Sequence, residues 1–181
     1  MILLLGPSAS GKTEIAKILC KDFHFTKTIT STTRPMRKGE VQGVDYHFLT
    51  EKEFLRLNDE GAFVETTLFN GYHYGSSKDE IGDDKVLIVD VPGYLAYKAL
   101  QDPRIISFFI DCPEEERIAH MKHRGDEEEA IASRIEHDKK AFPDVVKDES
   151  DCHIMNVKTS LEELAKKIAE IYEAKLRSMV R

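Results

Sequence analysis

The chain has 181 residues and a formal net charge of −7, with 33% charged and 41% hydrophobic residues. That length accommodates one α/β domain with a real core and small inserted subdomains, and the composition is ordinary for a globular protein. The acidic balance, with a pI near 5.5, argues against a broad nucleic-acid or membrane surface, so any anion site must be local.

The first apolar run, "ILLL" at residues 2–5, ends at Gly6 and reads as a buried central strand. "MILLLG" is too short for a signal peptide's apolar region and lacks its basic flank. No run approaches the length of a membrane span. Next comes "GPSASGKT", which comprises Gly6, Pro7, Ser8, Ala9, Ser10, Gly11, Lys12 and Thr13. It matches G-x-x-x-x-G-K-[ST] between a predicted strand and a predicted helix. Glycines let the backbone wrap so that successive N–H groups point at phosphate oxygens, and the helix N-terminus adds positive potential. Lys12 can reach the β- and γ-phosphates, and Thr13 can ligate Mg²⁺. The segment is a candidate cradle for a nucleoside triphosphate. In the helix that follows, Ile15, Ile18 and Leu19 fall at helical spacing.

"TSTTRPMRKGE", residues 30–40, concentrates Arg34, Arg37 and Lys38 in an otherwise acidic chain. Pro35 interrupts any helix there, so the arginines belong to a turn or extended segment. In that setting two guanidinium forks can converge on one anion. A nucleotide cradle plus a separate two-arginine clamp suggests phosphoryl transfer to an acceptor that is already phosphorylated. Such an acceptor needs no general base, because its oxygens are ionised near neutral pH. Residues 44–74, with "VDYHF", "FVETTLF" and "GYHYG", read as a small strand-rich insertion.

Strand–helix alternation then returns. "KVLIVDV" is a buried strand whose Asp90 can hold Mg²⁺ or its water, and a short helix covers 94–101. "IISFFID" is another strand, followed by a helix from Pro113. His120 and His123 are three apart on that helix, one possible metal spacing, but no third ligand is evident and surface histidines are the simpler reading. The acids from Asp126 to Glu129 read as a helix N-terminal turn. "CHIMNV" is the last strand. A final amphipathic helix carries a Ser160–Glu163 capping box and a stripe at Leu164, Ile168, Ile171 and Leu176. The alternation implies an α/β fold with a doubly wound parallel sheet flanked by helices. Cys20, Cys112 and Cys152 are odd in number and form no Cys-x-x-Cys pair, which suggests free thiols in a reducing, cytoplasmic compartment.

"GPSASGKT", "STTRPMRKGEVQGVDYHF", "FVE", "YHYGSS", "LIVD", "RGDEEEAIASRI" and "IMN" together resemble the guanylate kinase family of P-loop nucleoside monophosphate kinases, over nearly the whole chain. The resemblance implies a core P-loop domain (1–29, 82–120 and 138–181), a GMP-binding subdomain (30–81) and a helical lid (121–137). It implies ATP and Mg²⁺ as cofactors and GMP as acceptor. Arg34 and Arg37 would clamp the monophosphate, with hydroxyl contacts from Tyr46 and Tyr74. Thr30 would lie near the guanine edge, and Ser76 would complete the pocket. Glu65 would face guanine N1–H and the 2-amino group, where a carboxylate offers two acceptors to two donors. Arg124 and Arg134 would close over the transferring phosphoryl, and Asn156 would lie near adenine.

Three departures from the family pattern are visible. Pro92 stands after Asp90 where the family continues to a second acid and Gln-Gly, His120 replaces an arginine one turn before the lid, and the lid is one residue shorter. A related kinase for another phosphorylated acceptor, such as ribose 1,5-bisphosphate or another monophosphate, is the alternative. A non-catalytic guanylate-kinase-like binding module fits an intact cradle poorly. The expected state is a monomer or homodimer.

Overall fold

The computed structural model describes residues 1–179. In chain order the elements are β1 (Ile2–Leu5), α1 (Lys12–Asp22), β2 (Thr26–Lys27), β3 (Ser31–Thr32), β4 (His47–Phe48), α2 (Glu51–Asp59), β5 (Phe63–Phe69) and β6 (Tyr72–Ser77). After a 3₁₀ turn at Lys78–Glu80 come β7 (Lys85–Ile88), α3 (Val91–Ala99), β8 (Ile106–Asp111), α4 (Glu114–His123), α5 (Glu128–Ala141), α6 (Asp144–Asp148), β9 (Cys152–Met155) and α7 (Leu161–Met179).

Five strands form a parallel sheet in the order β2-β7-β1-β8-β9. β1 is central, and both of its faces are covered, which explains the unbroken "ILLL". Ile2 and Leu4 pack with Ile15 and Leu19 of α1 and with Leu164 and Ile168 of α7. Leu3 and Leu5 pack with Tyr94 and Tyr97 of α3 on the other side. A parallel strand buried on two sides has no polar face to alternate with. β7 and β8 flank β1 on opposite sides, so the strand order reverses at β1, and open α/β sheets place their ligand crevice at the carboxyl end of such a strand.

A second sheet, β4-β3-β6-β5, contains parallel β3–β4 and antiparallel β3–β6 and β5–β6 pairs. Its small core is aromatic, with Phe54 of α2 stacked on Phe63 at 4.6 Å between ring centroids.

Several boundaries differ from the sequence reading. α2 interrupts the segment expected to be strand-rich. Its signal was present, since Thr50 and Glu53 form a capping box in which each side chain meets the other's backbone N–H. β7 ends at Ile88, and Asp90 is the N-cap of α3, its Oδ1 accepting the Gly93 N–H at 2.9 Å. Pro92 therefore falls in the first turn of α3, where its missing donor costs nothing. That helix starts at Val91 rather than at 94. Pro113 is the N-cap of α4 rather than a helical residue. The Ser160–Glu163 box forms as expected, with bonds of 3.3 and 3.2 Å.

Candidate active site

The loop from Gly6 to Gly11 joins β1 to α1 and takes the wrapped path that its glycines permit. Gly6 has φ 136°, and a Cβ there would stand 2.3 Å from the Ile110 carbonyl oxygen. Gly11 has φ 100°, and its Cβ would stand 2.8 Å from Asn156 Nδ2. Both positions need glycine for conformation and for space. Ala9, at φ 59°, is a non-glycine in the left-handed region, strain held by the surrounding structure. Asn156 follows β9, is buried, and donates from Nδ2 to the Ser10 carbonyl at 2.9 Å. The Gly11→Ala variant is expected to push Asn156 off Ser10 and lose at least about tenfold in ADP affinity, with about 1–3 kcal/mol of stability. Calorimetric titration and thermal unfolding would measure both.

Two cavities meet at this loop. One, of about 520 Å³, is lined by Gly11, Lys12, Thr13, His120, Arg124 and Asn156. The other is a cleft of about 1000 Å³ that reaches the second sheet and takes in Lys12, Thr30, Glu65, Tyr74, Ser76 and Asp90. Lys12 lines both. Its Nζ donates to the Pro7 carbonyl at 2.6 Å and Ser10 Oγ at 3.3 Å. Burial pushes its pKa down to about 8, with Asp138 opposing that shift and Arg117 adding to it.

The cleft's far wall is built by strand register. A β-bulge lies between Phe63 and Glu65, after which Glu65 pairs directly with Ser76. A bulge re-aims the residues that follow it. Ser76 Oγ donates to Glu65 Oε1 at 2.8 Å, leaving Oε2 as an acceptor. Ser76 is buried and Thr30 half-buried nearby.

The arginines of the arm hold an internal anion. Arg34 is 8% exposed and makes a two-pronged contact with Glu40, Nη1 to Oε2 at 3.0 Å and Nη2 to Oε1 at 2.7 Å. Its guanidinium lies 5.4 Å from the Tyr46 ring centroid and 5.7 Å from that of Phe48. Tyr46 packs edge-to-face on Tyr74 at 6.1 Å. Hydrogen bonding to Glu40 and Tyr74 holds the Arg34 pKa above its ordinary value. Arg37 meets Glu40 through its backbone N–H at 2.6 Å, while its side chain is exposed. Arg34, Tyr46 and Tyr74 thus come together, and the Arg37 side chain stays free in solvent.

A second carboxylate gathers the other arginine pair. Asp126 accepts from Arg124 Nε at 3.0 Å and from Arg134 Nη1 at 2.8 Å. The acidic run is therefore divided: Glu127 occupies the N-cap position of α5 without a side-chain capping bond, Glu128 and Glu129 lie in its first turn, and Asp126 brings the two arginines together. Sequence reasoning did not single out Glu40, Arg117 or Asp138. Glu40 lay within the quoted basic segment, but Arg117 and Asp138 are 21 positions apart and carry no local signal. For Mg²⁺ the donors on hand are Thr13 Oγ1 and the Asp90 oxygen not used in capping α3, both hard oxygens. They suit an ion that keeps several waters and takes its remaining ligands from phosphates.

The family model described as guanylate kinase matches residues 1–175. The guanylate kinase of Chlamydia felis is 36% identical over 147 residues, covering 76% of this chain and 71% of that protein. That of Nitratidesulfovibrio vulgaris is 38% identical over 146 residues, covering 75% and 69%. The crystal structure of guanylate kinase from Anaplasma phagocytophilum superposes with a TM-score of 0.58 at 26% identity, over 97% of this chain and 85% of that one.

Proposed function

The chain belongs to the guanylate kinase family, and from that premise we propose how its own residues carry out the reaction. The protein catalyses ATP-dependent phosphorylation of GMP to GDP. The observation that carries the residue-level reading is that Lys12 lines both the cavity bearing Asn156 and Arg124 and the cleft bearing Glu65 and Ser76. One ammonium thus stands between a donor site and an acceptor site, where a transferring phosphoryl needs it.

In this reading the loop N–H groups and Lys12 hold the β- and γ-phosphates of ATP, and Asn156 holds the loop's shape through Ser10. Thr13 and Asp90 would carry Mg²⁺, which when bound neutralises charge on the phosphates. Glu65 accepts from guanine N1–H and the 2-amino group, with Thr30 and Ser76 beside it. Arg34, Arg37, Tyr46 and Tyr74 take the acceptor's phosphate, which displaces Glu40 from the Arg34 fork. Arg124 and Arg134 leave Asp126 for the transferring phosphoryl as residues 121–137 close and exclude water. No general base is required, since the attacking oxygen is already ionised. Positioning and electrostatics account for the catalysis. The arm spans 30–81, the lid 121–137, and the core 1–29, 82–120 and 138–181.

Among the described residues no helix is long and apolar enough to cross a membrane. The three cysteines are free, which favours a reducing, cytoplasmic setting; the kinase activity gives the protein a part in purine nucleotide metabolism, and a monomer or homodimer is its proposed state.

The direct experiment offers GMP, dGMP, AMP, UMP, CMP and ribose 1,5-bisphosphate separately with Mg-ATP and measures ADP. Turnover confined to guanine monophosphates is expected, and turnover of the sugar phosphate instead would overturn the acceptor assignment. In the same assay Arg37→Ala is expected to raise the KM for GMP about tenfold with ATP's KM unchanged, the loss of one charge-assisted contact. An unmoved KM for GMP would remove Arg37 from the clamp.

A further inference from the structure

α4 and α5 already join through an apolar contact, in which Met121, Ile131 and Ile135 cluster with Ala9 and Ile118 at the edge. Beside that cluster lies a buried ion pair. Arg117 of α4 is 6% exposed and Asp138 of α5 is 4% exposed, with Nη1 donating to Oδ2 at 2.8 Å.

The third member is Ser8, inside the cradle loop. Its N–H donates to Asp138 Oδ2 at 2.9 Å and its hydroxyl to Oδ1 at 3.0 Å. Its carbonyl accepts from Arg117 Nη1 at 3.4 Å. Every polar group of Ser8 is thereby tied to one of two helices. Arg117 Nε is buried without a partner, so the guanidinium is oriented by Asp138 and Ser8 rather than by maximal pairing.

Stability alone does not account for this arrangement. Desolvating two charges commonly costs more than apolar side chains of the same volume would, and an apolar join between these helices exists next to the pair. A carboxylate set against a loop that takes polyphosphate is also unfavourable unless neutralised, which Arg117 does. What the charges add is the connection to Ser8. Arg134 stands four residues before Asp138, about one turn along the same helix.

Resting on the kinase reading above, we propose that Arg117 and Asp138 are positioning residues that fasten α5 to the phosphate cradle at Ser8. They thereby set where Arg134 meets the transferring phosphoryl. Neither touches the reacting atoms.

Truncating one partner strands the other charge, so the informative variant removes both at similar volume, Arg117→Met/Asp138→Leu. It is expected to fold, to keep the KM for GMP within about twofold, and to lose about 30-fold in kcat, the scale of a misplaced catalytic group. In an Arg134→Ala background the same pair of changes is expected to cost less than about threefold, because residues acting as a unit are not additive.

A second readout needs no turnover. Adding ADP to the wild type is expected to slow hydrogen exchange in both the cradle loop and α5. In Arg117→Met/Asp138→Leu the loop's protection persists and that of α5 is lost. Equal losses of kcat in both backgrounds, or α5 protection that survives the double change, would overturn the proposal. If the wild type leaves GMP untouched, the acceptor reading falls, and hydrogen exchange still decides the clasp.

Discussion

Lys12→Ala is expected to reduce GMP phosphorylation by at least about 10³-fold, the usual scale for removing one preorganised charge from a developing negative centre. The loop's glycines and the Asn156–Ser10 bond lie outside the substitution, so folding should persist and Tm change by only a few degrees. Steady-state kinetics would show a fall in kcat together with a rise in the KM for ATP. Retention of more than a tenth of wild-type kcat would exclude Lys12 from the transfer step.

The same residue carries a pH signature. Burial, the largest cause, brings its pKa to about 8. A bound polyphosphate stabilises the ammonium and raises that value. Below pH 8 the lysine is charged in both states, so ADP affinity should be flat. Above pH 8 binding must take up a proton, and affinity should weaken by a factor approaching ten per pH unit until the bound-state pKa is reached. Calorimetric titration at pH 7, 8 and 9 measures the slope, and Lys12→Ala should abolish it.

Glu65→Gln should have the next largest effect. One carboxylate oxygen becomes an amide that presents N–H groups to guanine's own donors, so the new group repels where the old one accepted. The GMP-to-AMP ratio of kcat/KM is expected to fall about 100-fold, typical of a site built around a buried polar match. Ser76→Ala, which frees Oε1 without removing the acceptor, should cost less, about three- to tenfold. Selectivity that survives Glu65→Gln would place guanine recognition elsewhere.

These two residues differ in how much of their role the sequence disclosed. Lys12 sits in an eight-residue string whose spacing has a physical cause, since a loop that points N–H groups at phosphate needs glycine at 6 and 11. Glu65 carries no comparable local mark. Residues 63–69 alternate like many strands, and only family resemblance marked out the acid. The bulge after Phe63 and the Glu65–Ser76 register arise from pairing between strands, which no local pattern records. α2 lay between the two cases, because its Thr50–Glu53 box was legible while the strand-like aromatics around it drew the reading away.

The sequence by itself determined the phosphate cradle, the parallel α/β core, the capping of the last helix and the local basic cluster of Arg34, Arg37 and Lys38. Each depends on neighbours within a few positions or on a run of burial, so local chemistry suffices. The tertiary structure decided which carboxylate each arginine meets. Glu40 engages Arg34, Asp126 gathers Arg124 with Arg134, and Asp138 binds Arg117 and Ser8 across separations of 21 and 130 residues. Polar groups 21 or 130 positions apart have no fixed geometry until helices pack. With 33 acids for 26 lysines and arginines, composition leaves many pairings open, and for Asp138 it is the packing of α4 and α5 on the cradle that selects among them.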